Sequence, residues 1–384
     1  HSLDKNYDWK DLTKQFNSSA DLSPTASQMP RLLGLAQASK IYKNLKVTGS
    51  EKFTNNGNEI AWGTIGDAST SEGHFFESIN AAGVMQIPMI VSVWDDNYGI
   101  SVPSEYQTTK GDISEVLKGF KKEKDSNGFE IFKVKGWDYV ELMKTYEKAE
   151  QICRTQHIPV IVHVNELTQP LGHSTSGSHE RYKSEERLKW EKDYDCIKKM
   201  RQWILDNNII SSKDLDKIED DAKKFVLESK LSAKRESLKE TTNNINKLNS
   251  LFVNDIKSNN SGIQKILNDL NSIKEPNKRD LFTSTNAILR ELMLEKNPKV
   301  NILRDWLSKL RVKTQYDYSS HLYSESAYNP SKIPLIKANY DNNADSVDGR
   351  IILRENFKKI LEKNDNVIIF GEDAGKIGGV NQGL

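Results

Sequence analysis

The sequence has little cysteine, no excess of one charge and no long apolar run. Only Cys153 and Cys196 occur in 384 residues, which excludes a disulfide-held scaffold and a cysteine-based zinc site and is typical of a reducing compartment. Lys and Arg number 55 against 54 Asp and Glu, so no overall field would concentrate nucleic acid. No segment approaches the roughly 18 apolar residues of a membrane helix. We therefore expect a cytoplasmic protein that binds neither nucleic acid nor membrane.

The chain is also too long for one ordinary domain, and its hydrophobic content of 36% is low. Such a balance predicts a compact part together with a more polar helical part. The sequence starts at His1 without a methionine and stops at Leu384 just after a glycine-rich turn. We expect a piece of a longer protein.

Short apolar runs that alternate with helical segments predict an α/β fold. An early helix should bury Leu32, Leu35 and Ala36, and a later one spans about 139–156. Strands that are apolar throughout and separated by helices predict a parallel sheet covered by helices on both faces. The predicted strands are 59–65, 89–94, 130–134 and 160–164.

Beyond this sheet the strand signals disappear and polar residues dominate, which predicts amphipathic helices and then a connector. A second α/β unit is expected to begin after the connector, with a helix at 351–361 and a strand in the run NVIIFGED at 366–373. The predicted division is an α/β domain at 1–183, a helical region at 184–325, a linker at 326–348 and the start of the second unit at 349–384.

Acidic residues follow two of the predicted strands, where ligands of open α/β sheets collect. Asp67 ends the first strand, and Asp95 and Asp96 end the second. Neighbouring carboxylates favour a hard divalent cation completed by phosphate oxygens, and a helix beginning near Thr70 would direct free N–H groups at a diphosphate. The alternative is that these acids form turns or helix caps, and that His173, beyond the fourth strand, is a loop histidine bonded to backbone.

Four ordered segments resemble the thiamine diphosphate-dependent 2-oxo acid dehydrogenases. The run GDASTSEGHFFESINAAGVMQIPMIVSVWDDNYGIS at 66–101 resembles the cofactor motif of their α subunits. The segments 19–40 and 169–184, which contain SPTASQMP and GHSTS, resemble two further α-subunit stretches, and 349–384 resembles the opening of the β subunit. This order resembles the fused α/β chains of some bacteria, and it implies a thiamine diphosphate-binding fold followed by the start of a β-type pyrimidine-binding domain.

The resemblance implies a Mg²⁺ site formed by Asp67, Asp96 and the backbone carbonyl of Tyr98. Asp96 stands where the family has an asparagine, so Asn97 is a competing ligand if the loop shifts. Ala68 replaces the motif's third glycine. The cofactor-binding residues implied by the resemblance are Ser23, Thr25, Gly66, Asp67, Ala68, Asp96, Tyr98 and His173, and a K⁺ site would involve Ser27 and Gln28.

The catalytic residues implied by the resemblance are His173, Glu77 and Glu372. His173 corresponds to the active-site histidine, and the two glutamates match acids that line a tunnel between paired sites. Glu77 has the alternative of being a solvated helix residue. Ser174 matches a serine that kinases modify in mitochondrial relatives, but Gly177 and Ser178 replace the acidic pair behind it, so we expect no such regulation.

The activity implied by the resemblance is oxidative decarboxylation of a 2-oxo acid, with transfer of the acyl group to the lipoyl domain of a dihydrolipoyl acyltransferase. Branched-chain acids are favoured over pyruvate by the GHSTS loop, and a homo-oligomer of the fused chain is implied. The family's pyrimidine-activating glutamate is not reached before Leu384, so these 384 residues alone should be inactive. The alternatives are a transketolase-like enzyme and a non-enzymatic interaction protein that works through its helical region.

Overall fold

The computed structural model describes two compact units. One comprises 1–211 with 345–384, and the other comprises 212–344. Within these limits the described residues are 10–11, 24–45, 50–52, 57–173, 179–252, 261–319 and 329–384.

A four-stranded parallel sheet organises the first unit, in the order β1-β2-β6-β5, as the alternation of apolar runs and helices predicted. Side chains at odd and even positions of β2 and β6 enter separate cores on the two faces, so both strands are buried almost throughout. A two-stranded antiparallel ribbon follows β2 and is formed by β3 and β4. The strands are β1 Ala61–Gly66, β2 Met89–Trp94, β3 Tyr98–Gly99, β4 Val102–Pro103, β5 Glu130–Lys135 and β6 Val160–Asn165.

Helices cover the two faces of the sheet. The helices α1 and α2 pack on β1 and β2 around Phe75 and Ile79, both fully buried. The helix α4 packs on β5 and β6 through Ala149 and Cys153, and it starts where the Asp138 carboxylate accepts the backbone N–H of Glu141 at 3.1 Å. The helices of this unit up to residue 211 are α1 Gln28–Asn44, α2 Gly73–Met85, α3 Ile113–Val116, α4 Tyr139–Gln156, α5 Glu185–Asp193 and α6 Cys196–Asp206.

The second unit is helical and has its own core. Leucines and isoleucines on one face of each helix meet there, with Leu248, Leu281 and Ile288 fully buried. The first helix of the unit contributes to this core only with its C-terminal part, because Phe225 and Leu227 in its N-terminal half are mostly exposed. The helices are α7 Ser212–Ser250, α8 Ser261–Ser272, α9 Lys278–Leu294 and α10 Lys299–Ser319.

The C-terminal residues 345–384 contain α11, Gly349–Lys363, close to the helix expected at 351–361. The strand expected within 366–373 is not formed. A β-strand needs a partner for its backbone groups, and no described segment pairs with this run. Exposed Phe370, at 77%, shows that the apolar side chains of the run are not covered either.

Two further expectations change. The first unit continues to Ser211, beyond the boundary expected at 183, and the ring of Tyr139 in α4 lies 4.9 Å from that of Trp203 in α6 with the two planes tilted by 56°. Leu35 was expected to be buried but is 44% exposed, because α1 directs Leu32 and Ala36 to the sheet instead. No helix among the described residues is long and apolar enough to cross a membrane.

Candidate cofactor site at the carboxyl edge of the sheet

Three aspartates meet where β1 and β2 end. Asp67 follows β1 directly, and Asp95 and Asp96 follow β2. The parallel ladder continues past the strand ends, because the backbone N–H of Asp67 donates to the carbonyl of Trp94 at 3.1 Å and that of Asp95 to Val164 at 2.9 Å. The expected acids therefore lie together at the carboxyl edge of the sheet, the usual ligand position in open α/β folds.

Asp67 is only 7% exposed, and Asp95 and Asp96 are its charged neighbours at the strand ends. Burial, followed by the charges of Asp95 and Asp96, raises the pKa of Asp67 to about 8. Two neighbouring buried carboxyls do not both ionise unless a cation lies between them. At neutral pH the metal-free site thus keeps a proton on Asp67, which a divalent cation would displace.

Asp95 is held by two partners. Its Oδ2 atom lies 2.7 Å from Nε2 of His163, and its Oδ1 atom accepts the backbone N–H of Asn97 at 2.7 Å and the Asn97 amide at 3.2 Å. Burial would raise the pKa of Asp95, but the hydrogen bonds from His163 and Asn97 outweigh it and the pKa is lowered. Asp95 is therefore the ionised partner of the protonated Asp67.

Burial also raises the pKa of Asp96, against the opposing effects of the Tyr98 N–H and of Lys183 and Arg187. The Tyr98 N–H donates to Asp96 Oδ1 at 3.2 Å, and Arg187 Nη2 donates to the Asp96 backbone carbonyl at 2.7 Å. The loop that carries Asp96 and Tyr98 is thereby fixed by its own backbone and by α5.

Cations from the start of α5 stand beside this loop. Lys183 Nζ and Arg187 Nε both donate to Glu191 Oε1, at 2.7 and 2.8 Å. The same two cations lie 4.8 and 5.4 Å from the centre of the Tyr98 ring. Two positive groups on one carboxylate leave a net positive charge next to Asp96, which favours an anionic ligand and offsets the charge that an aspartate adds there.

The start of α1 contacts β1. Gln28 Nε2 donates to the carbonyl of Thr64 in β1 at 3.3 Å, while Thr25 is exposed. At Gly66 an added Cβ would meet no atom nearer than Ser69 Oγ at 3.9 Å, so the backbone there is open to a ligand. Ser23 lies outside the described residues.

The helix expected to begin near Thr70 begins instead at Gly73, with a 3₁₀ turn over Ala68–Ser71 in front of it. The Thr70 hydroxyl donates to the Asp67 carbonyl at 2.5 Å and closes that turn. Ser69, Thr70 and Ser71, which were expected at the start of the helix, instead lie in this separate turn. The N–H groups nearest the aspartates therefore belong to the 3₁₀ turn.

The proposed catalytic residues are not brought to the aspartates. His173, Glu77 and Glu372 are all exposed, and no hydrogen bond or ion pair found among the described residues joins any of them to Asp67 or Asp96. Glu77 lies outside the buried face of α2, which is formed by Phe75, Ser78, Ile79, Ala82 and Gly83. Ser174 lies outside the described residues.

The protein oxygens at the strand ends can bind a metal ion only if phosphate oxygens of a bound cofactor complete its coordination shell. In the part of the chain that the structure describes, no three His, Cys, Asp or Glu side chains are arranged to hold a metal ion. Carboxylates supplemented by a backbone carbonyl and by phosphate oxygens are a typical shell for Mg²⁺, which usually takes one or two carboxylates from the protein.

Sequence reasoning missed three residues of this edge: His163, Lys183 and Arg187. His163 interrupts the apolar run VIVHV of β6, and a titratable residue inside a fully buried strand is a signal that could have been used. Lys183 and Arg187 gave no comparable signal, because charged residues are ordinary in a polar helical stretch.

Comparison with known proteins gives one family match and many relatives. The family described as "Dehydrogenase E1 component" matches residues 5–242, more than half of the chain. The α1 subunit of mitochondrial 2-oxoisovalerate dehydrogenase from Arabidopsis thaliana is 26% identical over 215 residues, covering 56% of this chain and 41% of that protein. The pyruvate dehydrogenase E1 component α subunit from Rickettsia bellii is 28% identical over 180 residues, covering 47% of this chain and 52% of that protein. The chain thus spans about half the length of the curated relatives it matches.

Proposed function

The chain belongs to the family of dehydrogenase E1 components, and from that membership we propose that it is the cofactor-binding part of a thiamine diphosphate-dependent 2-oxo acid dehydrogenase. The observation that carries the proposal is the meeting of Asp67, Asp95 and Asp96 at one sheet edge with raised pKa values for Asp67 and Asp96. Neighbouring carboxylates repel each other when no cation is present, and a bound Mg²⁺-diphosphate would remove this repulsion.

In this proposal Asp67 and Asp96 bind Mg²⁺ with their carboxylates and Tyr98 with its backbone carbonyl. Asn97 is the weaker candidate, because its amide is already turned toward Asp95. Ser27 and Gln28, at the start of α1, are the proposed K⁺ ligands, supported only by the position of Gln28 against β1.

Other residues of the chain would bind and orient the cofactor. Gly66 and Ala68 let the backbone approach the diphosphate, and Ser23 and Thr25 lie in the segment proposed to line the cofactor ring. Thiamine diphosphate, when bound, supplies the electron sink for decarboxylation. His173 is proposed to contact the diphosphate and to assist acyl transfer.

The remaining proposals concern the complete protein. The substrate would be a 2-oxo acid, and the acyl acceptor the lipoyl domain of a dihydrolipoyl acyltransferase. The branched-chain class is favoured by the GHSTS loop, and the matched relatives include both a 2-oxoisovalerate and a pyruvate dehydrogenase subunit. A homo-oligomer of a fused chain, a cytoplasmic location and a tunnel role for Glu77 and Glu372 also stay proposals.

Residues 349–384 are proposed to open the β-type pyrimidine-binding domain, and residues 326–348 to link it to the helical region. The run at 366–373 would then become a strand when the rest of that domain supplies a partner. Membership of the E1 family supports this proposal over a transketolase-like enzyme or a non-enzymatic interaction protein.

The proposal is tested with the complete protein, thiamine diphosphate, Mg²⁺ and an artificial electron acceptor. We expect dye reduction with a panel of 2-oxo acids to require both cofactors and to be faster with 2-oxoisovalerate than with pyruvate. Bound cofactor without turnover of any 2-oxo acid would contradict the proposed reaction. Faster turnover of pyruvate would reverse only the substrate preference.

A further inference from the structure

His163 lies in the middle of β6 and is completely buried. Its strand neighbours Val162 and Val164 are apolar and belong to the core beneath α4. A histidine at such a position is costly unless both ring nitrogens find hydrogen-bond partners. The proposed reaction gives this residue no task.

Both ring nitrogens of His163 do find partners. Nε2 lies 2.7 Å from Oδ2 of Asp95, and since a carboxylate only accepts, Nε2 carries the proton of that bond. Nδ1 lies 2.6 Å from Oγ of Ser114, with Oδ1 of Asp112 farther away at 3.7 Å. The imidazole is therefore fixed in its orientation by groups on two different elements.

Asp95 connects His163 to the loop after β2 through further hydrogen bonds. Its second oxygen accepts both the backbone N–H and the side-chain amide of Asn97. Asn97 has a left-handed backbone with φ of 68°, a conformation that needs such support. Asp96 and Tyr98, the proposed Mg²⁺ ligands, flank Asn97 directly.

We infer that His163 is the positioning residue of the metal-binding loop: it orients Asp95, which sets the turn that presents Asp96 and the Tyr98 carbonyl. This inference rests on the proposed function. Partners that orient metal ligands from behind typically change metal affinity by about 10- to 100-fold when they are removed. A purely structural histidine would change stability without a selective effect on the metal.

The test uses the complete protein and three variants. His163→Leu removes the bridge. Ser114→Ala removes only the partner of Nδ1 and needs no repacking, so it covers the case in which the leucine variant does not fold. The matched control is Ser92→Ala, because Ser92 is equally buried, lies on β2 and accepts hydrogen bonds from Trp62 Nε1 and Tyr146 OH at 3.0 Å each.

The measurement is a Mg²⁺ titration at a fixed concentration of thiamine diphosphate, followed by tryptophan fluorescence, with urea unfolding in EDTA as the stability readout. We expect His163→Leu to raise the apparent Mg²⁺ dissociation constant about 10- to 100-fold and Ser114→Ala at least about threefold. Ser92→Ala should lose comparable stability while its Mg²⁺ constant stays within about twofold of the wild type.

Equal Mg²⁺ constants in the His163 and Ser92 variants would overturn the inference. If His163→Leu does not fold, an unchanged Mg²⁺ constant for Ser114→Ala overturns it in the same way. A wild-type protein that shows no Mg²⁺-dependent binding of thiamine diphosphate would instead contradict the proposed function, and the inference would fall with it.

Discussion

At the scale of single residues, Asp67 shows how a binding site and a stable fold make opposite demands. Its pKa is about 8 in the folded chain against an ordinary value of 3.8. Between these two pH values the folded state holds a proton that the unfolded state has released, so stability falls as the pH rises through this window. The metal-free protein carries this penalty at neutral pH, and a bound cation would remove it.

We predict that Asp67→Asn stabilises the metal-free protein at pH 8 by about 1–2 kcal/mol, because a neutral amide replaces a carboxyl that is costly to ionise. The gain is smaller than the full linkage value, because solvent at the sheet edge screens part of the charge. The gain should vanish near pH 3, about one unit below the ordinary pKa of 3.8, because the wild-type carboxyl is then mostly protonated in both the folded and the unfolded state. Urea unfolding in EDTA at the two pH values measures this, and a gain independent of pH would refute the assigned cause.

The choice between Asp96 and Asn97 as metal ligand gives a second prediction. Asp96→Ala should weaken Mg²⁺ binding at least about tenfold, since it removes a charged ligand. Asn97→Gly keeps the left-handed backbone that alanine would strain, and it should change the Mg²⁺ constant by less than about threefold. A loss of Mg²⁺ affinity from Asn97→Gly that exceeds the loss from Asp96→Ala would make Asn97 the ligand.

At the scale of elements, the spacing of apolar residues in the sequence predicted many of the helices and strands of the first unit. The helix expected at 139–156 is α4, Tyr139–Gln156, because Asp138 caps it and its apolar residues recur on one face. The strand expected at 89–94 is β2. Each of these two elements can be predicted from its own residues and from the more polar segments that precede and follow it in the sequence.

Other elements depend on partners distant in sequence and could not be predicted. Asp95 and His163 are 68 residues apart, and nothing local shows that β6 pairs with β2. Strands that are apolar on both faces carry no alternation that would reveal their order. The missing strand at 366–373 is the converse case, since its composition favours a strand but no described partner is present.

The helix α7 provides a prediction at this scale, because its two halves differ in burial. Leu248 is fully buried in the helical core, while Leu227 is 55% exposed on the same helix. Leu248→Ala should destabilise the second unit by about 2–4 kcal/mol through the cavity it leaves. Leu227→Ala is the matched control and should cost less than about 0.5 kcal/mol. Unfolding of both variants, followed by circular dichroism, measures the two losses of stability. Equal losses would show that the two halves of α7 are packed alike.

At the scale of the whole molecule, the sheet and the helical region form separate cores that share no residue. Domains with their own cores usually unfold as separate cooperative units. A ligand that binds one unit stabilises that unit by mass action.

We therefore predict two calorimetric transitions for the 384-residue chain. The transition of the first unit should be the one destabilised by Ser92→Ala, and that of the second unit the one destabilised by Leu248→Ala, since these residues lie in different units. A single transition shifted by both variants would show that the units unfold together.

Isothermal titration of thiamine diphosphate into the complete protein tests the central claim, that Asp67 and Asp96 jointly hold a Mg²⁺-diphosphate at the carboxyl edge of the sheet. It is performed in Mg²⁺, in EDTA, and with the double variant Asp67→Asn/Asp96→Ala. The account predicts saturable binding in Mg²⁺ that is lost in EDTA and in the double variant. Binding of unchanged affinity without Mg²⁺, or in the double variant, would contradict it.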